Sequence, residues 1–138
     1  MDSPSSLKIC IIDDDLIYQF TAKRIIELID PLQKVMVFSN GKQAIDYFCH
    51  SSLDLQLFPD VIFLDINMPI MNGWEFLDAF KCVEEKLIKP ITIYMVSSSV
   101  DEKDMARSRS FDTVTDFIIK PIHIERMVEI IQGFYIKS

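Results

Sequence analysis

The sequence is poor in glycine, cysteine and basic residues, and each shortage argues against a class of protein. Three of its 138 residues are glycine, and no glycine-rich phosphate loop follows the first apolar run, which disfavours a nucleotide-binding protein. Lysine and arginine number 14 against 21 acidic residues, and the formal net charge of −7 disfavours direct binding to DNA. No run approaches the roughly 20 apolar residues that span a bilayer, so we expect no membrane segment.

The three cysteines, Cys10, Cys49 and Cys82, lie far apart and lack the CxxC or CxxH spacing of a zinc site. An odd number of cysteines in apolar surroundings is typical of buried free thiols in a reducing compartment. The N-terminus is not that of a signal peptide, because its apolar run is short and ends in three aspartates. We therefore expect a cytoplasmic protein.

The length and composition suit one folded domain. A chain of 16.0 kDa with 49% hydrophobic and 25% charged residues can bury a core without disulfides or a structural metal. Residues 1–6 are expected to be a flexible tail that precedes a single domain over residues 7–138. The segment over residues 51–59 is expected to be an exposed loop.

Five short apolar runs alternate with segments of helical periodicity, as parallel βαβ units require. The predicted strands are Leu7–Ile12, Lys34–Phe38, Val61–Leu64, Ile91–Val96 and Val114–Ile119. The predicted helices are Leu16–Ile29, Lys42–His50, Gly73–Lys86 and Asp101–Ser110, followed by a last helix that begins near residue 124. This alternation predicts an α/β fold with a doubly wound parallel sheet.

The residue pattern also assigns faces and edges. The second strand is the more polar one, so we expect it at an edge of the sheet. Two helices have a clear apolar stripe. In the third helix it consists of Phe76, Leu77, Phe80 and Val83, and in the last helix of Ile124, Met127, Val128, Ile131, Phe134 and Tyr135.

Polar residues follow four of the predicted strands at the point where each strand ends. They are Asp13, Asp14 and Asp15 after the first, Asp65 and Asn67 after the third, Ser97, Ser98 and Ser99 after the fourth, and Lys120 after the fifth. Because ligands of open parallel sheets bind beyond the carboxyl ends of the strands, these residues are expected to share one site. Each has a simpler explanation alone, and Asp15 is expected to cap the first helix.

This combination of groups suits a phosphoryl group that is accepted by an aspartate. Carboxylates a few ångströms apart repel one another unless a cation shares their site. Mg²⁺ prefers oxygen ligands and takes one or two carboxylates together with phosphate oxygens. Lys120 adds a positive charge, and a serine after the fourth strand can donate a hydrogen bond.

The segments IIDDD, VIFLDINMPIMNGWEFL, YMVSSS and DFIIKP, in this order, resemble the receiver domain of two-component response regulators. The resemblance covers residues 7–136, and we expect a stand-alone, chemotaxis-regulator-like member without an output domain. It implies a flavodoxin-like (βα)5 fold with a five-stranded parallel sheet in the order 2-1-3-4-5. It also implies a signalling phosphoprotein in a phosphorelay rather than an enzyme.

The resemblance assigns the acidic residues their roles. Asp65 matches the aspartate that accepts the phosphoryl group, and Asp14 would bind Mg²⁺ directly beside it. The backbone carbonyl of Asn67 would complete the protein's share of the coordination. Asp13 would act through water or by orienting the other groups.

The resemblance also implies a conformational switch. Lys120 matches the lysine that pairs with phosphate oxygens, and Ser97 matches the hydroxyl residue that moves towards them. Phe117 matches the aromatic residue that turns inward in response, here without a phenolic hydroxyl. The surface formed by helix 4, strand 5 and helix 5 would then bind a downstream protein or form a homodimer.

The implied phosphodonor is a histidine kinase or a histidine phosphotransfer protein. Two alternatives remain open at this point. One is an interaction module that keeps the fold without being phosphorylated. The other is a haloacid-dehalogenase-like phosphatase, which usually carries Asp-x-Asp where this chain has Asp65 followed by Asn67.

Overall fold

The computed structural model describes residues 7–31, 34–50, 57–87, 89–98 and 101–137. Its strands are β1 (Lys8–Ile12), β2 (Lys34–Phe38), β3 (Val61–Asp65), β4 (Thr92–Ser97) and β5 (Val114–Ile119). Its helices are α1 (Leu16–Ile29), α2 (Gly41–Cys49), α3 (Gly73–Glu84), α4 (Glu102–Arg109) and α5 (Ile124–Lys137). The fold is the expected alternation of strands and helices.

The five strands form one parallel sheet in the order β2-β1-β3-β4-β5, which confirms the predicted order. The central strand β3 is buried over its whole length, because helices cover both faces of the sheet. The more polar β2 lies at an edge, as expected, and β5 forms the other edge.

Two hydrophobic cores lie on opposite faces of the sheet. The core under α2 and α3 is rich in aromatic side chains, and it includes all four residues of the stripe predicted for α3. The core under α1 and α5 contains Ala22, Ile26, Met127 and Ile131. The stripe predicted for α5 is partly wrong, because Ile124 is 46% exposed and Ile130 is buried instead.

Side-chain caps fix where α1 and α3 begin. The Asp15 carboxylate accepts hydrogen bonds from the backbone N–H groups of Ile17 and Tyr18, which confirms its predicted capping role. Asn72 and Glu75 form a reciprocal capping box at the start of α3. Both caps hold a helix N-terminus at the edge of the sheet where the strands end.

Two expectations about exposure are wrong. Cys10 is a buried free thiol, but Cys49 and Cys82 are exposed free thiols on α2 and α3. In the expected exposed loop, Phe58 is fully buried because its ring stacks on Phe48 with 5.2 Å between centroids, and Pro59 is buried beside it.

Some expectations fall outside the described residues. They concern the tail over residues 1–6, most of the loop over residues 51–59, Ser99 and the side chain of Tyr135. Among the helices that the structure describes, none combines the length and apolar character needed to cross a bilayer.

Candidate functional site

The strand register brings the predicted site residues to one edge of the sheet. Ile12 pairs with Leu64, so the residues that follow them, Asp13 and Asp65, lie side by side. On the other side of β3, Asp65 pairs with Val96, the residue before Ser97. Lys120 comes directly after β5, and its backbone N–H donates a hydrogen bond of 2.8 Å to the Ser97 carbonyl.

Three carboxylates gather at this edge. Asp13, Asp14 and Asp65 each offer an oxygen, and these oxygens all lie within 4.8 Å of one another. Asp13 and Asp65 are 1% and 6% exposed, whereas Asp14 is open to solvent. The acidic cluster that the sequence predicted is therefore formed, with two buried members and one exposed member.

Lys120 provides the positive charge of the site. Its Nζ lies 2.7 Å from Asp13 Oδ2 and 3.7 Å from Asp65 Oδ1. The ammonium group thus forms a close ion pair with Asp13 and keeps a longer contact with Asp65. One lysine facing three carboxylates leaves an excess of negative charge, which favours the binding of a further cation.

The electrostatics follow from burial and from like charges. Burial, and next the charge of Asp13, raise the pKa of the Asp65 carboxyl to about 7, although Lys120 lowers it. Burial also raises the pKa of Asp13, against the opposing effects of Lys120 and the Asp15 backbone N–H. A divalent cation with oxygen ligands would relieve this repulsion, so the donor set fits Mg²⁺.

Asp13 is held in place from several directions. Its Oδ1 accepts a 2.9 Å hydrogen bond from the Asp15 backbone N–H, and its own N–H donates to the Phe38 carbonyl at 3.0 Å. The Gln19 side-chain amide donates to the Asp13 carbonyl. These contacts tie the end of β1 to α1 and β2, so that the ion pair with Lys120 has a fixed acidic partner.

The remaining predicted residues take different positions around the edge. Ser97 is buried at the end of β4, and Asn67 is exposed in the loop that follows Asp65. Phe117 lies on β5 opposite Met95 and is half-buried against the core under α2 and α3. Phe117 therefore has apolar surface on one side and access to solvent on the other.

Sequence reasoning missed the role of Gly73 beside Asp65. A Cβ atom at Gly73 would lie 2.5 Å from the Asp65 carbonyl oxygen, so a larger residue there would displace the backbone of the site. The Gly73 N–H donates a 2.8 Å hydrogen bond to the Ile66 carbonyl. The Asn-Gly pair at the start of α3 was the available sequence signal.

Tyr18 is a second residue that the sequence did not reveal. The Lys120 ammonium lies over its ring, 4.5 Å from the centroid. Tyr18 belongs to α1 and Lys120 follows β5, so 102 positions in the sequence separate them. No local motif connects them, and the fold alone brings them together.

Comparison with known proteins places this geometry in a family. The profile described as "Response regulator receiver domain" matches residues 9–132. The nitrate/nitrite response regulator protein NarL of Escherichia coli is 31% identical over 129 residues, which cover 94% of this chain and 55% of that protein. A protein-glutamate methylesterase/protein-glutamine glutaminase of Methanococcus maripaludis is 32% identical over 118 residues, or 85% of this chain and 29% of that protein.

A solved structure gives the same result for the fold. The response regulator receiver protein from Dyadobacter fermentans superposes with a TM-score of 0.76 at 27% sequence identity, covering 94% of this chain and 98% of that one. The chain thus spans 55% of the length of NarL and 29% of that of the methylesterase, whereas it matches this structure almost end to end.

Proposed function

The chain belongs to the response regulator receiver domain family, whose members are signalling domains rather than catalysts, and from this we propose that Asp65 accepts a phosphoryl group. The donor would be a phosphohistidine of a histidine kinase or of a histidine phosphotransfer protein. The observation that carries the proposal is a buried carboxylate with two acidic neighbours and one lysine at the open edge of the sheet.

The residues present suit Mg²⁺ as the cofactor. Asp14 and Asp65 would be its carboxylate ligands, the Asn67 backbone carbonyl a third ligand, and Asp13 would act through water. When bound, the ion would offset the charge that carboxylates and phosphoryl oxygens bring together. The excess of acidic groups over Lys120 supports this assignment.

The transfer itself needs little from the protein except position and charge. A bond forms between an Asp65 carboxylate oxygen and phosphorus. The bond from phosphorus to the donor's imidazole nitrogen breaks, and its electron pair stays on the imidazole. Lys120, already 3.7 Å from Asp65, would move from Asp13 to pair with a phosphoryl oxygen.

Phosphorylation would then be transmitted through Ser97 and Phe117. The added group carries about −1.5 to −2 charges and strong acceptor oxygens, which would draw the Ser97 hydroxyl towards it. Phe117 is half-buried and could pack further inward as that hydroxyl moves. The result would be a shift between two states of the surface formed by α4, β5 and α5.

The helix α4 is suited to such a shift because it is weakly anchored. Among its eight described residues, Ser108 is the one that is buried. Its last turn contacts α3 through Arg107, whose guanidinium lies 4.9 Å from the centroid of the Trp74 ring. Moving α4 would cost little buried apolar surface, so this face could change its affinity for a downstream protein or for a second copy.

The phosphodonor is proposed to dock on exposed apolar side chains beside the site. Leu16, Ile17 and Phe20 on α1 are 71–79% exposed, and Ile70 in the loop after Asp65 is 79% exposed. A donor protein must cover this edge to bring its phosphohistidine to Asp65. The free cysteines are in keeping with a cytoplasmic location for this encounter.

The proposed chemistry is tested by labelling with acetyl phosphate. We expect the wild-type protein to be phosphorylated in the presence of Mg²⁺ and Asp65→Asn to be unlabelled, as measured by intact-protein mass spectrometry. Equal labelling of the variant would contradict the assignment of Asp65. An unlabelled wild-type protein that still binds a partner would instead support the interaction module.

The docking surface is tested by comparing donors. Phe20→Ser should slow transfer from a cognate histidine phosphotransfer protein about 10-fold, since it removes a large exposed anchor. The same variant should react with acetyl phosphate at the wild-type rate, because a small donor makes no contact with α1. Equal slowing with both donors would show that Phe20 supports the site itself and not docking.

A further inference from the structure

The ammonium group of Lys120 is bounded by three groups, and the proposed chemistry uses only two of them. Asp13 Oδ2 lies 2.7 Å from Nζ, Asp65 Oδ1 lies 3.7 Å away, and the centroid of the Tyr18 ring lies 4.5 Å away. The ring therefore stands as close to the charge as a cation–π contact requires. The role of this third neighbour is unassigned.

The ring of Tyr18 is firmly placed. It is packed against the hydrophobic core under α1 and α5, next to side chains that anchor both helices. Its helix is capped by Asp15, three residues earlier, whose carboxylate accepts a hydrogen bond from the Tyr18 backbone N–H. The ring is thus held by packing against the core and by a capped helix, whereas the lysine that lies over it has a long side chain with many rotamers.

The hydroxyl of Tyr18 makes no such contribution. Its oxygen is buried and has no hydrogen-bond partner among the residues that the structure describes. A buried hydroxyl without a partner costs stability rather than adding to it. The part of Tyr18 that serves the site is thus its aromatic face.

We propose that Tyr18 is a positioning residue for Lys120, an inference that rests on the proposed phosphoryl-acceptor function. Its ring face attracts the ammonium group without neutralising it, unlike a carboxylate. The face keeps the ammonium beside Asp65 as it exchanges its contact with Asp13 for a contact with a phosphoryl oxygen. Without the ring, the ammonium group would be held mainly by Asp13 and would spend less time beside Asp65.

The test uses beryllofluoride, a phosphoryl mimic, and Mg²⁺ on the full chain, with affinities measured by titration calorimetry. Tyr18→Leu should weaken beryllofluoride binding about 5-fold, the size of an ordinary cation–π contact, and leave the affinity for Mg²⁺ alone within about 2-fold. Tyr18→Phe keeps the ring and should bind both ligands like the wild-type protein.

A matched control separates positioning from packing. Phe134→Leu removes an aromatic ring from the same hydrophobic core, on α5, and should leave both affinities unchanged. Thermal unfolding of each variant checks that it is folded. A loss of Mg²⁺ and beryllofluoride binding together in Tyr18→Leu would show a general disturbance of the site and overturn the proposal.

Two further outcomes would also overturn it. Weak beryllofluoride binding by Tyr18→Phe would show that the hydroxyl, and not the ring, contacts the phosphoryl group. Wild-type affinity in Tyr18→Leu would show that the ring is dispensable. If the wild-type protein itself failed to bind beryllofluoride, the phosphoryl-acceptor function would be wrong before Tyr18 came into question.

Discussion

The two ends of the sheet use the same residue types for opposite purposes. At the end where β3 begins, Asp60 and Lys89 form an ion pair with 2.9 Å between Oδ1 and Nζ. At the end where β3 finishes, Asp65 lies 3.7 Å from Lys120, which is closer to Asp13. An aspartate and a lysine thus face each other at both ends, with Asp60 directly before β3 and Asp65 as its last residue.

Both side chains of the pair at the amino end also form hydrogen bonds with nearby backbone groups. Asp60 Oδ2 accepts a 2.8 Å hydrogen bond from the Lys8 backbone N–H, and Lys89 Nζ donates to the Phe58 carbonyl at 2.9 Å. The backbone of Asp60 also bonds to Lys8 and Thr92. These contacts join the starts of β1, β3 and β4, so the role of this pair is structural.

The difference lies in the balance of charge. One acid faces one base at the amino end, and each side chain also forms a hydrogen bond with the backbone. At the carboxyl end three acids face one base, and burial raises the pKa of Asp65. A balanced pair joins parts of the fold, whereas an unbalanced cluster keeps an excess of negative charge that favours the binding of a cation.

Removing the lysine from each end should give the sharpest contrast. Lys120→Ala should bind Mg²⁺ nearly as well as the wild-type protein but lose the response of α4, β5 and α5 to phosphorylation. Without the ammonium, the end of β5 loses the charged group that would draw it to the phosphoryl group. The response is measured by amide chemical-shift changes on adding beryllofluoride. Lys89→Ala is the control and should keep the full response; a normal response in Lys120→Ala would show that the two lysines do not differ in this way.

The acidic excess should cost stability when no metal is bound. Because the pKa of Asp65 is raised in the folded protein, its contribution favours folding at low pH and is lost as pH rises through about 7. Asp65→Asn should therefore raise the free energy of unfolding by about 2–4 kcal/mol at pH 8 without divalent cations.

The same gain from Asp65→Asn should shrink as pH falls from about 7 to about 4, because the folded wild-type protein takes up a proton at this position before the unfolded chain does. Asp13, Asp14 and Lys120 are the charged groups that face Asp65. Urea unfolding of both proteins at about pH 8 and at about pH 4 measures the difference. A gain that did not depend on pH would mean that charge repulsion is not its cause.

Breaking the ion pair at the amino end should lower the free energy of unfolding, by less than Asp65→Asn raises it. Lys89→Ala leaves Asp60 without its ion pair and the Phe58 carbonyl without a donor, so we expect a loss of about 1–2 kcal/mol in unfolding free energy. Urea unfolding at pH 8 measures it, and phosphorylation by acetyl phosphate should be unchanged. Reduced labelling of the folded variant, measured without urea, would contradict this expectation. It would show that the ion pair at the amino end also affects the acidic cluster.

The sheet was predictable because its strands are short apolar runs separated by helical periodicity. Each strand boundary lies within one residue of its expected position, as in β4, which begins at Thr92 instead of Ile91. Exposure was harder to predict. Cys49 and Cys82 lie on outward faces of their helices, and the surrounding composition does not reveal which face a residue occupies.

The membership of the acidic cluster was also predictable, since parallel strands bring their carboxyl ends to one edge. Its internal arrangement was not. That Lys120 lies nearer to Asp13 than to Asp65, and over the ring of Tyr18, depends on how α1 and β5 approach each other. Such distances arise from packing between elements remote in sequence, and no local pattern encodes them.

The loop after Asp65 is enclosed by two glycines that have no chemistry of their own. A Cβ at Gly73 would meet the Asp65 carbonyl, and one at Gly41 would lie 2.9 Å from the Met71 side chain. For anyone engineering this protein, both positions must stay glycine, because a larger residue at either would displace the backbone or side chains of the loop that follows Asp65. The weakly anchored α4 tolerates substitution better, because few of its side chains are buried. A new partner specificity is therefore best built on α4, where substitutions do not contact the backbone around Asp65.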